Sequence, residues 1–159
     1  MKKIILAVLV VSLAVGGGFR QAYAQDKKVE FSLNLGVMSY LGPNDSLSKF
    51  LLAFTPQVDI HVTKGFMVSP EAMVVTDFGD YFVGFPGVIF NYTGKGFFAG
   101  VGVVYPVVIT EEEWISGALW PKFNLGYRGK RINLTAYLIT PTVDMFRENL
   151  VGATIGYRF

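Results

Sequence analysis

Counting back from the C-terminus, Phe159, Tyr157, Ile155, Ala153 and Val151 are apolar, while Arg158, Gly156, Thr154 and Gly152 are polar or small. A period of two marks a strand whose faces meet unlike surroundings. The same period fills most of the chain. From about Val29 to Tyr40, Val29, Phe31, Leu33, Leu35 and Val37 alternate with Glu30, Ser32, Asn34 and Gly36. From about Leu52 to Val62, Phe54, Pro56, Val58, Ile60 and Val62 oppose Thr55, Gln57, Asp59 and His61. From about Phe66 to Val75, Phe66, Val68, Pro70, Ala72 and Val74 oppose Ser69, Glu71 and Met73. Strands over about Tyr81–Tyr92 and Phe97–Ile109 alternate less cleanly, and those over about Ile115–Tyr127 and Ile132–Ile139 restore the pattern. The reading is all-β, with eight strands and no sustained helical period.

The connections differ in length and in charge. Thr63-Lys64-Gly65, Thr93-Gly94-Lys95-Gly96 and Arg128-Gly129-Lys130-Arg131 read as tight, glycine-bearing hairpin turns. The other links are longer and hold Asp45, Asp77, Asp80, Glu111, Glu112, Glu113, Asp144 and Glu148 against Lys49 and Arg147. The tight turns hold Lys64, Lys95, Arg128, Lys130 and Arg131 and no acid. Charge and loop length therefore sort the two ends of an up-and-down sheet in the same way.

Residues 1–24 read as a cleaved secretory signal: Lys2 and Lys3, an apolar run from Ile4 to Val15, then Ala22-Tyr23-Ala24. Residues 25–159 then form one domain. Removing Lys2, Lys3 and Arg20 from the 14 Lys and Arg leaves 11 against 12 acids, so the basic balance of the whole chain lies in the signal and does not point to nucleic acid. With no cysteine, neither a disulfide nor a thiolate metal site is available.

Alternation alone does not separate a soluble barrel from a membrane one, because the two differ in which face looks inward. Charge does separate them. On the polar face of the strands only Glu30, Asp59, Glu71, Lys122 and Arg158 carry formal charge, far below the roughly 25–35% of a soluble surface. The apolar face carries none, as lipid requires. Tyr127, Tyr157, Phe66, Phe97 and Phe159 fall near the tight-turn ends, and Tyr81, Tyr105 and Trp114 near the others, as two aromatic belts would. Eight strands is the smallest usual number for such a barrel.

With its signal, eight alternating strands, one-sided short turns and terminal Tyr157-Arg158-Phe159, the chain resembles the small OmpA/OmpX-like outer-membrane barrels. The resemblance implies that Tyr157 and Phe159 are read by the barrel-assembly machinery. It further implies a monomer among outer-membrane lipid and lipopolysaccharide; with the tight turns in the periplasm, an even strand count places both mature termini there.

The inward face supplies the candidate chemistry. Glu30 and Arg158 are expected to pair across the closing seam, and Glu71 and Lys122 to face each other near mid-depth. Asp59 and His61 lie nearer the tight turns. A plug of matched ion pairs is the first reading, since a buried charge without its partner costs several kcal/mol. A hydrolase would need Ser69 or Ser116 within reach of His61; no such local motif is present and no enzyme is expected. Another reading takes Met38, Met73, Val75, Phe82, Val104, Val108 and Trp120 as an apolar outer lumen. Pro86 and Pro106, on neighbouring strands, would open a lateral gap to it by removing ladder hydrogen bonds. Such a barrel would handle lipid or small hydrophobes, and lipid A modification is its enzymatic form. Glu111-Glu112-Glu113 suits divalent cations that bridge lipopolysaccharide phosphates, or is a solvated loop. No cofactor motif is present. The favoured function is a closed-lumen barrel with a structural or surface-interaction role, too narrow for an open pore.

Overall fold

The computed structural model describes residues 29–41, 50–77, 82–109, 114–116, 118–141 and 149–159, with 108–109 and 114–116 described by their backbone alone. Ten β-segments account for nearly all of them: β1 (Val29–Leu41), β2 (Phe50–Thr63), β3 (Phe66–Thr76), β4 (Phe82–Gly94), β5 (Phe97–Val104), β6 (Val107–Ile109), β7 (Trp114–Ser116), β8 (Trp120–Arg128), β9 (Ile132–Ile139) and β10 (Asn149–Arg158). β6 continues β5, and β7 leads into β8, so the ten segments make eight antiparallel passes. The first and last passes pair from Ser32–Arg158 to Leu41–Asn149. β3 pairs with β4 from Phe66–Tyr92 to Thr76–Phe82, so the described strands close into a ring.

Short turns fix the register at one end. Lys95 and Gly96 join β4 to β5 with φ of 50° and 86°. A two-residue hairpin of this hand needs φ above zero at both positions. Glycine adopts it without steric cost, and Lys95 is the only other residue to do so among those described.

The outward rows hold Leu35, Phe90, Leu125 and Ile155, all well exposed, and no described outward strand position is formally charged. Exposing apolar surface to water costs about 25 cal/mol per Å², so a continuous apolar wall needs a lipid surrounding. At the tight-turn end this wall carries aromatic pairs: Phe31 with Phe159, Tyr157 with Phe159, and Phe97 with Tyr127, at centroid distances of 5.8, 5.0 and 5.3 Å. Of the opposite belt, Tyr81 lies outside the described residues and Trp114 is described by its backbone alone.

The interior has two storeys. Toward the long connections an apolar cluster includes Met38, Ala53, Met73, Val75, Phe85, Val104 and Ile139. Toward the tight turns polar groups join the buried set, with Ser32, Asn34, Asp59, Ser69, Asn91 and Asn133 beside Met67 and Phe98. Space is tight at Gly156, where a Cβ would overlap the side-chain amide of Asn34 and force it to move.

One placement differs from expectation. Phe82 opens β4 in the outward row, and the inward positions beside it are Val83 and Phe85, 4% and 3% exposed. In the upper storey both faces of β4 are apolar, so hydropathy carries no contrast to tell them apart.

Candidate functional site: the lumen

Three carboxylates and three long cations share the interior, and the strand parity explains each position. Glu30 on β1, Asp59 on β2 and Glu71 on β3 meet Lys122 and Arg128 on β8 and Arg158 on β10. Arg128 is the hub. Its guanidinium contacts Glu30 and lies 2.9 Å from Asp59 Oδ2. Asp59 also accepts hydrogen bonds from Gln57 Nε2 at 2.6 Å and Ser69 Oγ at 2.7 Å. Arg128, Gln57 and Ser69 thus satisfy and neutralise a carboxylate that is almost wholly buried, as its desolvation demands.

Arg158 Nη1 lies 3.1 Å from Glu30 Oε2. The same guanidinium donates to the carbonyl oxygens of Gly129 and Lys130, the latter at 2.7 Å. It therefore ties the closing seam to the β8–β9 turn. His61 Nε2 stands 3.8 Å from Glu30 Oε1. Higher in the lumen, Lys122 Nζ contacts Glu71 Oε1, and both side chains are buried. The ammonium also sits 4.7 Å from the centre of the Tyr137 ring, a cation–π contact that helps hold it in place. Between the two ion clusters Asn133 Nδ2 donates to Asn34 Oδ1 at 2.8 Å, and Asn34 Nδ2 to the Thr55 carbonyl at 3.0 Å.

From sequence alone Arg128 reads as a turn residue. The signal that finds it is the inward parity of Trp120, Lys122, Asn124 and Gly126, which continues two residues further to Arg128.

For nucleophilic chemistry the order of contacts is decisive. The Ser69 hydroxyl donates a hydrogen bond to Asp59 and accepts one from Asn91 Nδ2 at 3.0 Å, while His61 faces Glu30. A serine activated by histidine requires the imidazole against the hydroxyl, and Ser69 is not so placed. Ser116 is described by its backbone alone, and Glu111-Glu112-Glu113 lie outside the described residues.

Above the Lys122–Glu71 pair lies an apolar cavity of about 70 Å³. Met38, Val75 and Trp120 line it, with Leu51, Phe85 and Pro106. Met73 and Val104 belong to the packed cluster around it, whereas Phe82 faces outward and the side chain of Val108 is not described. The expected gap between Pro86 and Pro106 is bridged. Gly87–Val104 and Gly84–Val107 keep one register across it, and Tyr105 N–H donates to the Pro86 carbonyl at 2.8 Å.

No protein-family model matches the chain, and no curated protein matches it in sequence. Solved structures do match in fold. Neisserial surface protein A is similar with a TM-score of 0.55 at 8% identity, over 83% of this chain and 96% of that one. Ail, the attachment invasion locus protein of Yersinia pestis, gives 0.49 at 13% identity, over 82% and 97%. A de novo designed transmembrane β-barrel gives 0.49 at 10% identity, over 85% and 98%. With its closed ring of eight antiparallel passes, the chain has the fold of the small OmpA/OmpX-like barrels.

Proposed function

We propose that the protein is a monomeric outer-membrane barrel that serves as a rigid, closed frame for its long connections, with a structural or surface-interaction role and no enzymatic one. The observation that carries this reading is the pairing of an uncharged, exposed apolar wall with a lumen filled by matched ions. Lipid satisfies the wall. The Lys122–Glu71 pair, the Arg128 cluster and the apolar cluster, stacked along the lumen, favour a closed barrel over a pore. Phospholipid and lipopolysaccharide surround the wall, and Tyr157 and Phe159 serve as the segment read by the barrel-assembly machinery.

The tight turns face the periplasm in this arrangement and the acidic connections face outward. Because the chain has no cysteine, single cysteines report the topology directly. Asp45→Cys is expected to react with a membrane-impermeant maleimide on intact cells, while Lys95→Cys reacts only after the outer membrane is opened. Labelling of Lys95→Cys on intact cells, or a folded protein that stays in solution without detergent, contradicts the proposal.

A further inference from the structure

The wall is stitched unevenly beside the apolar cavity. Pairing between β5 and β8 runs up to Val104–Trp120, then resumes between β6 and β7 at Val107–Ser116. Between those pairs neither Tyr105 and Pro106 nor, opposite them, Ala118 and Leu119 belong to a strand. Pro106 has no N–H to offer across this stretch. Pro106 and Trp120, on either side of this break, both line the cavity. The outer surface flanking it is apolar and exposed, with Val103 at 42% and Leu119 at 57%. On its other side the strand is held to β4 by the Tyr105–Pro86 hydrogen bond, so the weak place in the wall faces β8.

We propose that the cavity takes the methyl end of a hydrocarbon chain from the surrounding lipid, admitted between Pro106 and Trp120. The lining decides the chemistry: apart from the rings of Tyr40 and Trp120 it is aliphatic, phenylalanine or proline, and its floor is the buried cluster of Met73, Val104 and Ile139. A polar headgroup finds no ion partner there, because Glu71 and Lys122 below are spent on each other. Size decides how much is taken. An apolar cavity of about 150 Å³ holds a benzene ring, so about 70 Å³ holds a terminal methyl and one or two methylenes, not a whole chain.

The inference rests on the membrane reading, and one experiment separates the two. Of the two tryptophans, Trp114→Phe leaves Trp120 alone, facing the lumen and shielded from lipid by the wall. The full chain with this change is reconstituted into phosphatidylcholine vesicles whose acyl chains are brominated near the methyl end, near the carboxyl end, or not at all. Trp120 is expected to lose most of its emission with methyl-end bromine. Filling the cavity by Leu51→Phe, or by Val75→Phe should the first fail to fold, is expected to restore the emission. Emission indifferent to bromine in an inserted, heat-modifiable barrel overturns the proposal, and so does quenching that survives a folded, filled cavity. Failure of the protein to insert overturns the membrane reading instead.

Discussion

Arg128 Nη2 on β8 lies 2.9 Å from Asp59 Oδ2 on β2, the strand diametrically opposite in the ring. A contact across the full diameter of a barrel braces its cross-section, which backbone pairing between neighbours does not do. The same guanidinium takes Glu30 from the first strand. One side chain thus links the start of the chain, its second strand and its third-last β-segment.

Arg128→Met removes the brace and strands the buried Asp59 carboxylate. The expected cost is about 3–5 kcal/mol in urea unfolding, the range for breaking a buried pair from one side. Asp59→Asn combined with Arg128→Met is expected to recover part of that loss, because Gln57 and Ser69 still bond the amide. Glu30 keeps Arg158 and is more exposed, so Glu30→Gln is expected to cost about 1 kcal/mol. Equal costs for Arg128→Met and Glu30→Gln sink the hub assignment.

Lys122 and Glu71 form a second, separate lock, and here both partners are buried. Lys122→Met alone is expected to destabilise the barrel by about 3–5 kcal/mol, whereas replacing both residues by Met is expected to be near neutral. The apolar storey directly above would accept both thioethers. Should the double change cost as much as the single one, the pair contributes more than mutual neutralisation.

How far the sequence revealed these contacts depends on how unlike the two faces are. Where lipid meets a polar lumen, as along Val29–Gly36 and Phe54–Val62, hydropathy alone assigns every side chain to its face. Strand count, closure by β1 and β10 and the tight turns follow from that contrast. Where lipid meets an apolar lumen the contrast vanishes, and Phe82 falls on the wrong face by one residue. Arg128 escapes for a different reason. It precedes Gly129, so local turn chemistry claims it, although its length lets a strand-end position reach the far wall. The interruption of the ladder beside Pro106 depends on how two strands meet, and no single-strand pattern encodes that.

Two glycines separate packing from propensity. A Cβ on Gly156 would overlap Asn34 Oδ1 and stand 3.0 Å from Asn133 Nδ2, whereas one on Gly94 meets nothing within 4 Å. Gly156→Ala is therefore expected to lose about 1–3 kcal/mol as an overpacked site, with the Asn133–Asn34 hydrogen bond displaced. Gly94→Ala is expected to stay within about 0.5 kcal/mol of the parent. Parallel urea titrations of the two variants test this, and equal stabilities would mean that the lumen yields to added volume.

The sharpest test of the wall uses depth. Leu35 lies mid-strand, 60% exposed and paired with Phe54 and Ile155. Val62 is 58% exposed but sits at the tight-turn end of β2. In water these two positions are equivalent, and a lysine at either would shift stability by no more than about 0.5 kcal/mol. In a bilayer they are not. A lysine at the midplane costs about 2–4 kcal/mol and one near the interface about 0–1 kcal/mol. Leu35→Lys is accordingly expected to unfold at distinctly lower urea in phosphatidylcholine vesicles, and Val62→Lys to match the parent. Equal effects at the two positions would mean that the apolar wall does not span hydrocarbon.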